Sequence, residues 1–140
     1  MTESTLTTTE DGIELYKAGE SIDKLLLIFK EITTREPKNA TAWACLAWLN
    51  LLCDKPKTAL KAAQKSVKLD ARSPQGRINL VLAMLDSGET GVRPHIEVAG
   101  QMMSFDAQIR QDIEENIIDG FNRKPDWKSL ERVKAWLLGN

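Results

Sequence analysis

The sequence predicts an all-α protein built as a solenoid of antiparallel helix hairpins. Alternating β-branched runs and Asn-Gly hairpin signals are absent. Helix-start and helix-stop residues recur along the whole chain. The helix ends EITTREPKN, SVKLDARSP and QMMSFDAQ resemble one another at intervals of about 34–36 residues, the period of stacked helix pairs.

The elements follow in order. Residues 1–7 read as a flexible lead, and Thr7 with Glu10 reads as a capping box opening a helix over 8–18. Helices follow over 21–35, 40–53 and 56–70. Ser73-Pro74 supplies an N-cap and a first-turn proline for 74–87. Helices over 94–105, 107–123 (capped by Asp106) and 126–138 (capped by Asp126, ended by Gly139) complete the chain. The linkers are brief, with Gly88–Arg93 the longest, and short linkers place successive helices antiparallel.

A chain of 140 residues suits one domain, here 1–140. The formal net charge of −1 gives no argument for nucleic acid or an anionic membrane. MTESTLTTTEDG lacks the basic start and apolar stretch of a signal peptide. The longest apolar run, Ala40 to Cys53, is too short to span a bilayer. A soluble, cytoplasmic protein is expected. Cys45 and Cys53, on one helix, lie about 12 Å apart at 1.5 Å per residue, too far to pair. No His/Cys cluster surrounds them, so neither a metal nor a cofactor is expected.

Residues 40–53 are apolar on every side. On a helical wheel Trp43, Leu46, Ala47 and Asn50 share one face, and Trp48 lies about 140° from Trp43. A helix apolar all round must be covered on more than one side.

Residues 40–73 resemble the tetratricopeptide repeat family. Trp43, Leu46 and Ala47 match the pattern of its first helix, and Ala59, Ala63 and Ser66 fall at the second-helix positions. Asn50 and Ala63 stand where the family has aromatics, and Ala71 where it has proline. Tyr16, Gly19, Phe29, Ile32 and Pro37 fit the preceding unit; Leu80, Val81 and Met84 keep the core face of the following one.

The resemblance implies a right-handed solenoid of about three repeats, closed by a degenerate or capping pair over 107–138. It further implies a concave groove lined by Thr41, Cys45, Trp48 and Leu52, then Gln75, Ile78, Asn79, Leu82 and Asp86. Glu10, Asp11 and Glu14 flank it at one end, Glu114 and Glu115 at the other. Its expected occupant is another protein, as a peptide or amphipathic helix with apolar anchors and basic ends. Trp48 is covered either by a neighbouring helix, by residues 1–7 folded back, or by that partner. A basic clamp for acidic chaperone tails is not expected, because Ala44, Cys45 and Trp48 occupy its positions.

Other constellations carry less. Lys57, Lys61, Lys65, Lys68 and Arg72 share one helix face, read as solvated convex surface or as a docking stripe. His95 lacks a nucleophile partner, and Glu114-Glu115 and Asp112/Asp119 read as a solvated or groove-lining acidic face. Ser87–Gly91 lacks the lysine of a phosphate loop. In the last helix Trp127, Leu130, Val133 and Leu137 form a capping stripe that leaves Trp136 and Leu138 aside. The expected function is non-catalytic, a scaffold, adaptor or assembly chaperone. The alternative is homo-oligomerisation, for instance a homodimer, through exposed apolar faces.

Overall fold

Among the described residues eight helices form, five of them behind a side chain that accepts from their first amides. The computed structural model describes residues 6–139, so the expectation for residues 1–5 lies outside them. Thr8 caps α1 (Thr9–Lys17): its hydroxyl accepts from Asp11 N at 3.0 Å, and the Asp11 carboxylate accepts from Thr8 N at 3.2 Å. The capping box is thus Thr8/Asp11, one residue beyond the expected Thr7/Glu10. Thr7 is occupied otherwise, its carbonyl accepting from Arg35 at 2.7 Å. The register also places Gly12 against the buried Phe29 ring, where a Cβ would come within 2.6 Å.

Ser21 caps α2 (Ile22–Arg35), and Asn39 caps α3 (Ala40–Leu52). α4 (Pro56–Leu69) and α5 (Pro74–Asp86) begin on proline, with Ser73 accepting from Gly76 N at 3.0 Å. α6 (Arg93–Phe105) is followed by α7 (Ala107–Arg123), whose cap Asp106 accepts from the amides of Gln108 and Ile109. α8 spans Lys128–Leu138, and Gly139 ends it at φ 75°. Asp126 does not cap α8. The N-cap is Trp127, which points into the core at 2 % exposure and leaves the helix without a side-chain cap.

Each helix packs on its successor, and α3 also packs on α5 and α1, giving an all-α solenoid-like stack. Two apolar cores run through it. The first joins Leu25, Phe29 and Ile32 of α2 to Ala42, Leu46, Ala47 and Leu49 of α3 and Ala62 and Ala63 of α4. The second joins Leu51 to Val81 and Leu82 of α5, Met103 of α6, Ile113 and Ile117 of α7, and Trp127, Leu130 and Val133. α3 contributes to both, which is why it has no polar side. Full burial of a Leu, Ile or Phe side chain stabilises by about 1.5–3 kcal/mol, so loss of α3 would open both cores.

The stack changes at its end. α8 packs on α5 and α6, while α7 turns back, touching α5 and reaching α1. No helix among the described residues is long and apolar enough to cross a membrane.

Candidate functional site

The two indoles of α3 part company, as the wheel requires. Trp43 donates to the Pro37 carbonyl at 2.9 Å. Trp48 points to the opposite side and donates from Nε1 to the Tyr16 hydroxyl at 2.8 Å. That hydroxyl donates in turn to Asp119 on α7. Arg123 closes the cluster, with Nε donating to Asp119 at 3.0 Å, Nη2 donating to the Tyr16 carbonyl at 3.0 Å, and the guanidinium 3.8 Å from the Tyr16 ring centre. Burial, reinforced by donation to the Asp119 carboxylate, holds the Tyr16 phenol well above its ordinary range.

Neighbouring helices therefore cover Trp48. Its ring meets Trp127 at 5.4 Å between centroids. Its far edge lies where a Cβ on Gly120 would approach to 3.1 Å, so α7 passes close only because residue 120 lacks a side chain. A second polar chain ties α7 to α5 and α3. Asn116 donates to Gln75 at 2.9 Å, Gln75 to Asn79 at 2.7 Å, and Asn79 to the Ala44 carbonyl at 3.0 Å.

Between these ties a cavity of about 530 Å³ remains open. Ala44, Cys45, Trp48 and Leu49 form its floor on α3. Ile13, Tyr16 and Lys17 wall it from α1, Gln75 and Asn79 from α5, and Glu115, Asn116, Asp119 and Arg123 from α7. Thr41 stands exposed at the rim, and Ser66, Asp70 and Ser73 close one end. The volume lies in the range of ligand sites, about 300–1,000 Å³. Burial pushes the Cys45 thiol up to about 12, so it stays protonated at neutral pH and is a poor nucleophile.

The groove residues expected from the sequence divide in two. Thr41, Cys45, Trp48, Gln75 and Asn79 meet around the cavity. Ile78 and Leu82 do not: at 1 % and 0 % exposure they belong to the core beneath the returning helices. Leu52 packs on that same core. Asp86 accepts from Trp127 Nε1 at 3.0 Å and from the Ser129 hydroxyl, anchoring α8 instead of lining a groove.

Of the acidic flanks, Glu115 lines the cavity. Glu114 pairs with Arg110 at 3.2 Å. Asp11 is spent on the α1 cap, and Glu10 and Glu14 are exposed away from the cavity. Tyr16, Lys17, Asn116 and Arg123 join the site without having been expected there, and Asp119, read as part of a solvated or groove-lining acidic face, joins it with them. One signal pointed to them. A mid-helix glycine costs about 1 kcal/mol against alanine, so Gly120 signals a close packing contact.

His95 sits elsewhere, its Nδ1 accepting from Arg77 at 2.8 Å. Trp136 is 44 % exposed beside Arg132, and Leu138 packs on the second core. Among the described residues no three His, Cys, Asp or Glu side chains cluster as a metal site. No protein-family model matches the chain, and no curated protein matches its sequence.

Proposed function

We propose that the chain is a non-catalytic protein-interaction module of the tetratricopeptide-repeat kind. It acts as a cytoplasmic scaffold, adaptor or assembly chaperone that holds a short segment of another protein between α1, α3, α5 and α7. The cavity carries this reading: it has an apolar floor, two indole or phenol edges, and charged groups only at its walls.

Its size selects the form of the partner. One turn of α-helix about 5.4 Å long and about 11 Å wide fills roughly 500 Å³, so the cavity takes about one turn's worth of side chains. A whole amphipathic helix has no room along the concave face, where α7 already lies. The fitting partner is an extended segment that inserts one or two apolar anchors and sets a basic group against Glu115 or Asp70.

Selection from a displayed peptide library, with the intact chain as bait, tests this. Ala44→Phe fills the floor and Thr41→Trp obstructs the rim. Each is expected to weaken selected peptides about tenfold or more with an unchanged circular dichroism spectrum. Peptides that bind both variants as tightly as wild type would overturn the reading. Trp48→Ala is the poorer test, because Trp48 also holds Tyr16 and Trp127.

A second reading, self-association, rests on Phe105 at 88 % exposure and Leu27 at 68 %. Sedimentation showing monomer alone at high concentration counts against it.

A further inference from the structure

α4 carries charge of one sign. Lys55–Leu69 holds five lysines and no carboxylate, in a chain whose formal net charge is −1. Lys57, Lys61, Lys65 and Lys68 fall within about 80° of arc at 100° per residue. All four are exposed, and the other exposed residues of α4 are Thr58 and Gln64. Arg72, read with them from the sequence, lies past the helix end in the turn to α5.

Like charges at three- and four-residue spacing destabilise a helix, and elsewhere several basic side chains at that spacing face a carboxylate. Arg35 pairs with Glu31, Arg110 with Glu114 and Arg123 with Asp119, each four residues apart. The α4 lysines form no ion pair among the described residues. The buried side of α4, Ala59, Ala62, Ala63 and Ser66, packs on α3 and α5 and leaves the lysine face uncovered.

We infer that this outer face of α4 docks a short acidic polypeptide segment. The row is one helix wide and, from Lys57 to Lys68, about 17 Å long at 1.5 Å per residue. Asp70 bounds it at one end, while Asp54 at the other is paired with Lys124 at 2.6 Å. An acidic segment of a few turns matches that length, and carboxylates at three- and four-residue spacing on a partner helix match its repeat. A duplex or a bilayer would carry negative charge past the row and onto Asp70. The exposed face also has no aromatic ring to stack a base and no apolar side chain to enter a membrane.

The probe is a fluorescein-labelled alanine-rich peptide of about 20 residues, long enough to be helical, with glutamates at three- and four-residue spacing. Its binding to the full chain is followed by anisotropy. Binding is expected at about 50 mM salt, weakening about tenfold by about 200 mM. Replacing Lys57, Lys61, Lys65 and Lys68 by Gln abolishes it with circular dichroism unchanged. Replacing the exposed Lys24, Lys30, Lys128 and Lys134 by Gln removes equal charge and leaves it intact. Absence of binding at low salt, or equal loss in both variants, would overturn the inference. So would tighter row-dependent binding of a single-stranded oligonucleotide or of phosphatidylserine vesicles. The cavity touches the end of this row at Asp70 but none of its four lysines, so failure here leaves the peptide-holding reading standing.

Discussion

The Trp48 indole donates to the Tyr16 hydroxyl at 2.8 Å, and that hydroxyl donates onward to Asp119. One phenol oxygen thus joins α1, α3 and α7. Tyr16→Phe keeps the ring and removes the oxygen, leaving an indole N–H and a carboxylate short of a partner. Unpaired groups of this kind cost about 1–3 kcal/mol, read as a lowered urea midpoint.

The same phenol titrates late. Its folded value lies above the ordinary 10.0 because burial, and then the Asp119 carboxylate, disfavour the phenolate. Its contribution to stability is therefore complete below pH 10 and lost as pH climbs beyond it. Tyr16 is the chain's one tyrosine, so ultraviolet absorbance follows it alone. Phenolate should appear together with loss of helical dichroism. Ionisation near pH 10 in a folded chain would contradict this.

Gly120 and Gly100 make a paired test. A Cβ on Gly120 would meet Leu130 Cδ2 at 2.7 Å and Trp48 at 3.1 Å, whereas one on Gly100 would meet Leu137 at an ordinary 3.9 Å. Overpacking costs about 1–3 kcal/mol, more than the helix propensity gain of about 1 kcal/mol. Gly120→Ala should destabilise, and Gly100→Ala should stabilise by up to about 1 kcal/mol. Equal shifts in the two denaturation curves would refute the close passage of α7.

Asp86 accepts from the donors of Trp127 and Ser129, which are 2 % and 8 % exposed. Asp86→Ala strands both and should cost about 2 kcal/mol or more. Hydrogen exchange should show the loss concentrated in α8. An effect on peptide capture without loss of stability would restore this residue to a groove.

His95 gives the fold an acid-side dependence. Burial, and then the charge of Arg77, hold its imidazole below the ordinary 6.5. The unfolded chain then binds the proton more readily, so stability is full above about pH 6.5 and falls as the pH drops below it. His95→Gln should flatten the stability profile between about pH 5 and pH 7, since this is the chain's one histidine.

The helices and the division of α3 between two sides were legible in local pattern. Caps such as Ser73 and Asp106 act on the next two or three residues, and a wheel separates Trp43 from Trp48 without knowledge of their partners. What covers Trp48 was not legible. Tyr16 and Asp119 are 103 residues apart, and helical periodicity carries no information over that distance. The family resemblance made 107–138 a degenerate or capping pair without saying what its first helix covers. In the structure α8 packs on α5 and α6, and α7 returns over α5 to α1. Ile78, Leu82 and Asp86 are consequently spent on that closure.

The return of α7 to α1 bears on cooperativity. An open row of hairpins has nearest-neighbour contacts alone, so its ends can fray while its middle holds. Here the first helix and the seventh are fastened to each other, so the N-terminal helix cannot come loose by itself. A break at the Tyr16–Asp119 tie is felt at α1 and α7 at once. The long loop that must close before this contact forms slows folding relative to a linear array. Cutting the chain at a hairpin boundary would strip cover from Trp48 and the second core, so the hairpins are not interchangeable modules.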